Sequence, residues 1–394
     1  MRLDTFDACK LSSAELARFQ LILTNAFKDP IHDQNISAIT NIASTNSLLY
    51  RQYFHAVYDV NNELVGGAFS SPRLLNIGGI HFHSLSVGPV AIFSELQGCG
   101  YGKNLIRYIH TYALANGFSM VYLQGIDHFY TKLGYVPMML KSKIHYTLQA
   151  PCITSRELSI REMLNSDIDS VSTIFAKHSL STTFSSNRNH VIWRWLLESA
   201  STSWYFFKPK VVCLNNHIIG YFVSDPCDPM RIREALVESC ELVAPFLSAF
   251  SIEYEFNIGK EISIMCPSNS FIRTESAKLF RSFYSEMRSP VGGQLLHFLS
   301  RNSLIKILDR LVSHLLVRDT QFSVTHEDLF RYFQSLEACD FRSLSSLGSY
   351  FLTGIEPIDS KGQAFSVNDC IRAQLFALFR RSLPPPFVFQ GDNY

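Results

Sequence analysis

The stretch that most constrains this chain runs from Val87 to about residue 116. An extended apolar run, Val87-Gly88-Pro89-Val90-Ala91-Ile92, is followed by Gln97-Gly98-Cys99-Gly100-Tyr101-Gly102. Leu105, Ile109, Tyr112 and Ala113 then recur at helical spacing. The order strand, glycine-rich turn, helix predicts a helix over 102–116, closed by Gly117 as a helix C-terminal glycine. Glycines accept positive φ and let another group approach the backbone. The N–H groups they expose, added to the positive end of a helix, favour a pyrophosphate. No Lys-Ser/Thr pair follows, which disfavours a P-loop. The preceding strands read as an antiparallel meander, not as the parallel start of a dinucleotide fold.

Around this stretch the elements alternate. Residues 12–27 read as a helix, with Ser12 and Ser13 as caps, Glu15 in the first turn, and Leu16, Phe19, Leu23 and Phe27 on one face. Residues 53–60 and 63–70 read as strands joined through Asn61-Asn62, and 80–92 as a third extended run. Met120–Leu123 is a short buried strand, followed by a helix near 127–133 and a strand from about 135. These predict an α/β (α+β) domain over 1–150 with a mixed, mostly antiparallel sheet, and a linker at Pro151-Cys152 and Thr154-Ser155. A similar order restarts at Leu158. It has helices over 164–178 and 190–199, a hairpin of 204–214 with 217–223 around Asn215-Asn216, a helix over 231–250 and a mostly extended 252–266. This unit lacks a glycine-rich turn. From about 295 the pattern changes again, with an amphipathic helix over 303–316 and a tail running from Leu383-Pro384-Pro385-Pro386 to Tyr394. Domains hold roughly 100–200 residues, so 394 residues are expected to divide, here as 1–150, 155–294 and 295–394.

Composition removes several classes of function. With 35 basic against 34 acidic residues, there is no electrostatic ground for a nucleic-acid partner. The nine cysteines are scattered and never spaced as CxxC, so neither a zinc site nor a disulfide framework is expected, and reduced thiols in a cytoplasmic setting fit better. No signal peptide and no membrane span are expected, because the longest apolar stretches carry charges such as Glu238 and Glu241.

The pattern Gln97-x-x-Gly100-x-Gly102 after a strand resembles the GNAT acetyltransferase superfamily. A second segment, Leu123-Gln124-Gly125-Ile126-Asp127-His128-Phe129-Tyr130-Thr131-Lys132-Leu133-Gly134-Tyr135-Val136-Pro137, looks like that family's late motif ending in FY-x-x-x-GY. The resemblance implies a GNAT fold using acetyl-CoA as cosubstrate and no metal. Val90, Ala91 and Ile92 would pair with the pantetheine arm. Gln97, Gly98, Cys99, Gly100, Tyr101, Gly102 and Lys103 would cradle the pyrophosphate, and Ile126 would be a further cofactor contact. At this length, with Trp193–Ser199, Ile218-Ile219-Gly220-Tyr221 and Val291-Gly292-Gly293, the whole chain resembles the Eis-like acetyltransferases. Those carry two GNAT-type domains, the second degenerate here, and a small α/β sterol-carrier-protein-like domain. Their paired arginines in the phosphate loop are replaced by Gln97-Gly98. By the same resemblance Tyr130 is the general acid, and the α-carboxylate of Tyr394 assists removal of the substrate proton.

The chemistry asked of these groups is modest. A phenol with a reference pKa of about 10 can protonate a departing thiolate. A carboxylate near 3.5 is a poor base for an ammonium near 10.4, so it would orient the amine and pass its proton through water. A backbone N–H around Ile92 could polarise the thioester carbonyl. His81, His83 and His128 are alternative bases, although a histidine on or near a strand is more often structural. Cys99 offers its backbone rather than its thiol, and Glu95 reads as a surface acid. The acceptor is expected to be a primary amine on a small molecule or a protein, with Glu238, Glu241, Glu253 and Glu255 as acidic lining by type alone. Homo-oligomers remain open, and the competing functions are an acyl-CoA-binding sensor and a scaffold without turnover.

Overall fold

The computed structural model describes residues 1–27, 52–77, 79–137, 140–149, 157–180, 184–186, 188–200, 209–225, 228–254, 258–266, 270–279, 284–290 and 294–318. The expected linker at 151–155 and all of the expected third domain beyond 318 lie outside them.

Two compact units emerge, one of Met1–Met139 with a segment that begins at Val291, the other of Leu140–Pro290. The first unit contains β1 (Arg2–Asp7), α1 (Ser13–Phe27), β2 (Tyr53–Tyr58), β3 (Leu64–Ile77), β4 (Ile80–Ile92), α2 (Tyr101–Ala115), β5 (Met120–Gln124), the short α3 (Asp127–Tyr130) and β6 (Val136–Pro137). The second contains β7 (Leu140–Thr147), β8 (Leu158–Glu162), α4 (Ile168–Leu180), β9 (Phe184–Ser186), α5 (His190–Ala200), β10 (Lys210–Leu214), β11 (His217–Ser224), β12 (Arg231–Val237), α6 (Val243–Glu253), β13 (Glu261–Cys266), α7 (Phe271–Leu279) and β14 (Tyr284–Pro290). β15 (Gln294–Phe298) and α8 (Arg301–Arg318) then return to the first unit.

The two sheets share one topology. The first runs β1-β2-β3-β4-β5-β15-β6, and the second β8-β10-β11-β12-β13-β7-β14. In each, the fourth and fifth strands are parallel (β4 with β5, β12 with β13) and the other neighbours are antiparallel. The place between fifth and outermost strands is filled by exchange. β7, which follows the first unit's elements, pairs with β13 and β14, and β15, which follows the second's, pairs with β5 and β6. Residues 140–147 therefore leave the sheet that a domain boundary at 150 would give them. Local sequence cannot show this, because a strand's alternation is the same whichever sheet it joins.

Local chemistry explains the first unit's elements. Ser12 and Glu15 form a reciprocal cap on α1. The Glu15 N–H donates to Ser12 Oγ at 3.2 Å, and the Ser12 N–H donates to Glu15 Oε2 at 3.0 Å. The inner face of α1 buries Phe19, Ile22 and Leu23, each worth roughly 1.5–3 kcal/mol of transfer free energy. The Phe19 ring meets Phe54 and Phe69 edge-on, with centroids at 4.8 and 5.7 Å. On the other face of the sheet α2 buries Leu105, Ile106, Ile109 and Ala113 against Val57, Leu85, Val87, Val121 and Leu123. α2 ends as expected, at Gly117 with φ +78°.

One expected element is wrong. Residues 231–250 are not a single helix, because Arg231–Val237 is β12 and the helix starts at Val243. Glu234, a charged residue within that strand, is buried, held by Nη1 and Nη2 of Arg188 at 2.8 and 2.9 Å and by the Tyr221 hydroxyl at 2.7 Å. The partner that makes it compatible with a core strand lies 46 residues away, beyond any local window.

Candidate active site

The site begins where β4 and β5 part. They pair in parallel from Ser84↔Met120 to Val87↔Leu123 and no further. β4 continues through Gly88 and Pro89 to Ile92 while pairing with β3 alone, at Ala68↔Val90, Gly67↔Ala91 and Gly66↔Ile92. β5 ends at Gln124. Among the described residues, no strand covers the other edge of Val90, Ala91 and Ile92. An open edge in the interior of a sheet offers backbone groups to an extended ligand as it would to another strand.

The chain then makes a turn of 3-10 helix, Ser94–Leu96, and reaches the glycines. The Gln97 side-chain amide donates back to Ile92 O at 3.2 Å, tying the loop to the end of the strand. Gly98 and Gly100 lie in the left-handed region, with φ +80° and +86°, and a Cβ on either would meet nothing within 4 Å. Their glycine identity thus answers to backbone conformation, and the space before them is open. Gly100 is the residue before α2 and caps it with no side chain. The first N–H bonded back in this helix is that of Asn104, to Gly100 O at 3.0 Å. The N–H groups of Tyr101, Gly102 and Lys103 therefore sit at the helix mouth with no backbone acceptor among the described residues, the arrangement that receives phosphate oxygens. A Cβ on Gly102 would lie 3.5 Å from Phe129 Cζ and 3.7 Å from Ile92 Cγ1. This puts the helix mouth, the strand end and the late motif in one cluster.

Tyr130 ends α3 and is buried. Its ring lies over Gly125, where a Cβ would come within 2.2 Å of Tyr130 Cε2. Phe129 and Tyr135 meet it edge-on at 4.9 and 5.4 Å. Burial pushes its phenol up to about 12. Its hydroxyl makes no hydrogen bond to protein among the described residues, yet it is not one of the sealed, unsatisfied polar atoms.

The structure therefore brings Val90, Ala91, Ile92, the cradle of Gln97 to Lys103 and Tyr130 together on one side of the first unit. Ile126 is 62% exposed at the start of α3, and its carbonyl accepts from the Phe129 and Tyr130 N–H groups. Cys99, His81, His83 and His128 are exposed. Tyr394 lies outside the described residues. Sequence reading missed His110, Tyr135 and His297, which pack behind Tyr130. Tyr135 donates or accepts through its hydroxyl with His110 Nε2 at 2.9 Å, and the His110 and His297 rings stack at 3.9 Å. Nothing local in the sequence ties residue 297 to the late motif.

The geometry agrees with what is known of related proteins. The family model described as an acetyltransferase (GNAT) domain matches residues 8–138. Among solved structures, a probable N-acyltransferase from Enterococcus faecalis V583 superposes with a TM-score of 0.56 at 11% identity, covering 77% of this chain and 75% of that one. A GCN5-related N-acetyltransferase from Anabaena variabilis gives 0.56 at 15% identity, covering 77% and 74%. Eis1 from Mycobacterium abscessus gives 0.53 at 15% identity, covering 77% and 75%. At such identities the likeness speaks for fold alone. No curated protein sequence matches the chain. Residues 8–138 thus match a GNAT acetyltransferase domain, and the fold of the chain is GNAT-like. Among the described residues no helix is long and apolar enough to cross a membrane.

Proposed function

We propose that the first unit moves the acetyl group of acetyl-CoA to a primary amine by direct attack, without a covalent enzyme intermediate. The observation that carries this reading is an open strand edge at Val90–Ile92 followed, after one 3-10 turn, by the left-handed glycines and a helix mouth where, among the described residues, the N–H groups of Tyr101, Gly102 and Lys103 have no backbone acceptor. Open space before Gly98 and Gly100 and a left-handed backbone there suit a pyrophosphate, and an uncovered strand edge suits an amide-bearing arm. Acetyl-CoA would supply the activated acyl group.

The protein's own groups then have defined tasks. The backbone of Val90, Ala91 and Ile92 holds the arm, and an N–H near Ile92 polarises the acyl carbonyl. Tyr130 Oη keeps its proton throughout the physiological range, since its pKa is about 12, and presents it to the leaving sulfur. An ordinary thiol titrates near 8.5, so a solvated thiolate would take that proton reluctantly. The burial that raises the phenol also raises a thiolate's demand for a proton, which narrows the gap. Among the described residues, the Tyr130 hydroxyl has no competing acceptor to satisfy first. The α-carboxylate of Tyr394 orients the amine and relays its proton through water. The second unit is read as a degenerate GNAT-like domain, and the last residues as a sterol-carrier-protein-like domain.

The test is thiol release from acetyl-CoA across an amine panel, with binding followed by calorimetry. Tyr130→Phe is expected to bind acetyl-CoA normally and to lose about 100-fold or more in kcat. A chain ending before Asn393 is expected to bind normally and turn over slowly. Turnover at the wild-type rate in Tyr130→Phe would remove the acid assignment. Acetyl-CoA binding with no acceptor anywhere in the panel would instead favour a sensor.

A further inference from the structure

If Tyr130 is the acid, something must hold its ring, because its hydroxyl has no protein partner among the described residues. Packing alone does so. Gly125 lies beneath the ring, Phe129 beside it and Tyr135 behind it, the last with centroids 5.4 Å apart. Tyr135 is fixed in turn by groups that Tyr130 does not touch. Its hydroxyl is bonded to His110 Nε2 at 2.9 Å, and its ring lies tilted against His297 at 5.1 Å. His297 stacks on His110 with ring planes 9° apart.

A further contact of His297 bears on its orientation. Its Nδ1 lies 3.1 Å from Gly134 O. A carbonyl only accepts, so Nδ1 carries the hydrogen. Gly134 is the left-handed residue, φ +88°, that closes the turn between Tyr130 and Tyr135. A single imidazole thus grips the turn through its carbonyl, the cradle helix α2 through His110, and the wall of the Tyr130 pocket through Tyr135. It stands on β15, between β5 (His297↔Val121) and β6 (Leu296↔Val136), in the sheet interior. A rigid strand is where a positioning group holds best. An apolar side chain would fill this buried place more cheaply than an imidazole, so the polar residue calls for a reason.

We propose that His297, delivered by the exchanged strand, is a positioning residue that holds Tyr130 in its reactive placement by clamping the Gly134–Tyr135 turn to α2. The proposal rests on the assignment of Tyr130 as the acid, and the experiment separates the two.

A double-mutant cycle with Tyr130→Phe and His297→Ala is read as kcat, KM for the amine and the acetyl-CoA dissociation constant. His297→Ala is expected to lower kcat by about 10- to 100-fold, the loss produced by a misplacement of about an ångström. Acetyl-CoA affinity should hold within about twofold, as for a group that acts on the transition state alone. The double variant should be no slower than Tyr130→Phe, because a displaced tyrosine and a missing hydroxyl fail at the same step. His297→Asn keeps a donor for Gly134 O and should recover most of the lost rate, whereas His297→Phe keeps the stack without the donor and should not. That pair of variants serves even if the alanine variant does not fold. A slow Tyr130→Phe beside a wild-type His297→Ala, losses that multiply in the double variant, or a Phe variant as fast as Asn would each overturn the role of His297 while leaving Tyr130 in place. A wild-type rate in Tyr130→Phe would overturn both.

Discussion

The two units share a strand order and differ at the crossover from fourth strand to helix. In the first, residues 93–100 pass through two left-handed glycines, and α2 buries one stripe while its first N–H groups stay unfilled. In the second, only Glu238-Ser239-Cys240-Glu241-Leu242 connect β12 to α6, with no glycine and with Leu242 at φ −91° before the helix. Glu241 stands at that helix mouth. Its carboxyl is held down to about 2 by the Cys240 thiol, then by Ser239 and its own N–H. Pro245 removes one N–H from the first turn, and Val243 and Phe246 to Ser251 are all buried. The same topology therefore yields a helix end with open N–H groups in one unit and a core helix with a carboxylate at its mouth in the other. Topology supplies the place, and the residues of one short crossover decide whether a ligand can use it.

The largest effect should fall on the second unit's polar core. Arg188→Met leaves Glu234 buried with only the Tyr221 hydroxyl as a partner of those now seen at its carboxylate. Stranding one member of a buried pair costs about 3–5 kcal/mol. Hydrogen exchange should show protection lost over β10–β12 while acetyl-CoA affinity is kept. An equal loss of affinity would mean that the two units cannot be considered apart. The next effect sharpens the contrast at the crossovers. Gly100→Glu gives the first unit the kind of mouth the second has. It forces a side chain into φ +86°, at about 1–2 kcal/mol, and faces a carboxylate toward phosphate at about 1 kcal/mol or more. Together these should weaken acetyl-CoA binding by about 100-fold in calorimetry, whereas Glu241→Gln in the second unit should leave it unchanged.

Much of the first unit was legible because its signals are local. The α1 cap is written in Ser12 and Glu15, the hairpin turn in Asn62, as in Asn215-Asn216 of the second unit, all three asparagines at positive φ, and the loop before α2 in glycines whose conformation nothing else adopts as easily. What was not legible depends on residues far apart in the chain. The partner of Glu234 is 46 residues away, and the contact of His297 with Gly134 spans 163. The exchange of β7 and β15 is of the same kind, since alternation along a strand records which face is buried and not which sheet receives it. The sequence also gave His110 no special standing, as its role exists only once Tyr135 and His297 are brought to it.

The smallest effect concerns acid, and it tests the same contrast by another route. Among the described residues of the first unit, burial lowers three imidazoles. Burial holds His55 at about 3, His110 at about 2 and His297 at about 4. In the second, burial lowers His178, against the pull of its bond to Val237 O. Unfolded, each would titrate near 6.5. As pH falls below that value the unfolded chain takes up protons that the folded one refuses. Stability is therefore fully present above about 6.5 and is lost as pH falls toward the folded values. Between pH 7 and pH 6 each of the three in the first unit costs about 0.7 kcal/mol, so that unit should lose about 2 kcal/mol and the second less. Glu15 in one unit and Asp167 in the other are both held below the ordinary carboxylate value by hydrogen bonds, Glu15 from Ser12 and Asp167 from Arg161, so neither titrates in this range. Site-resolved hydrogen exchange at the two pH values reads the two losses separately. His55→Gln, which can keep a bond to Thr5 or Ser70 without titrating, should remove about a third of the first unit's loss. Equal losses in the two units would show that their stabilities are measured as one, and the exchanged strands β7 and β15 would be the physical reason.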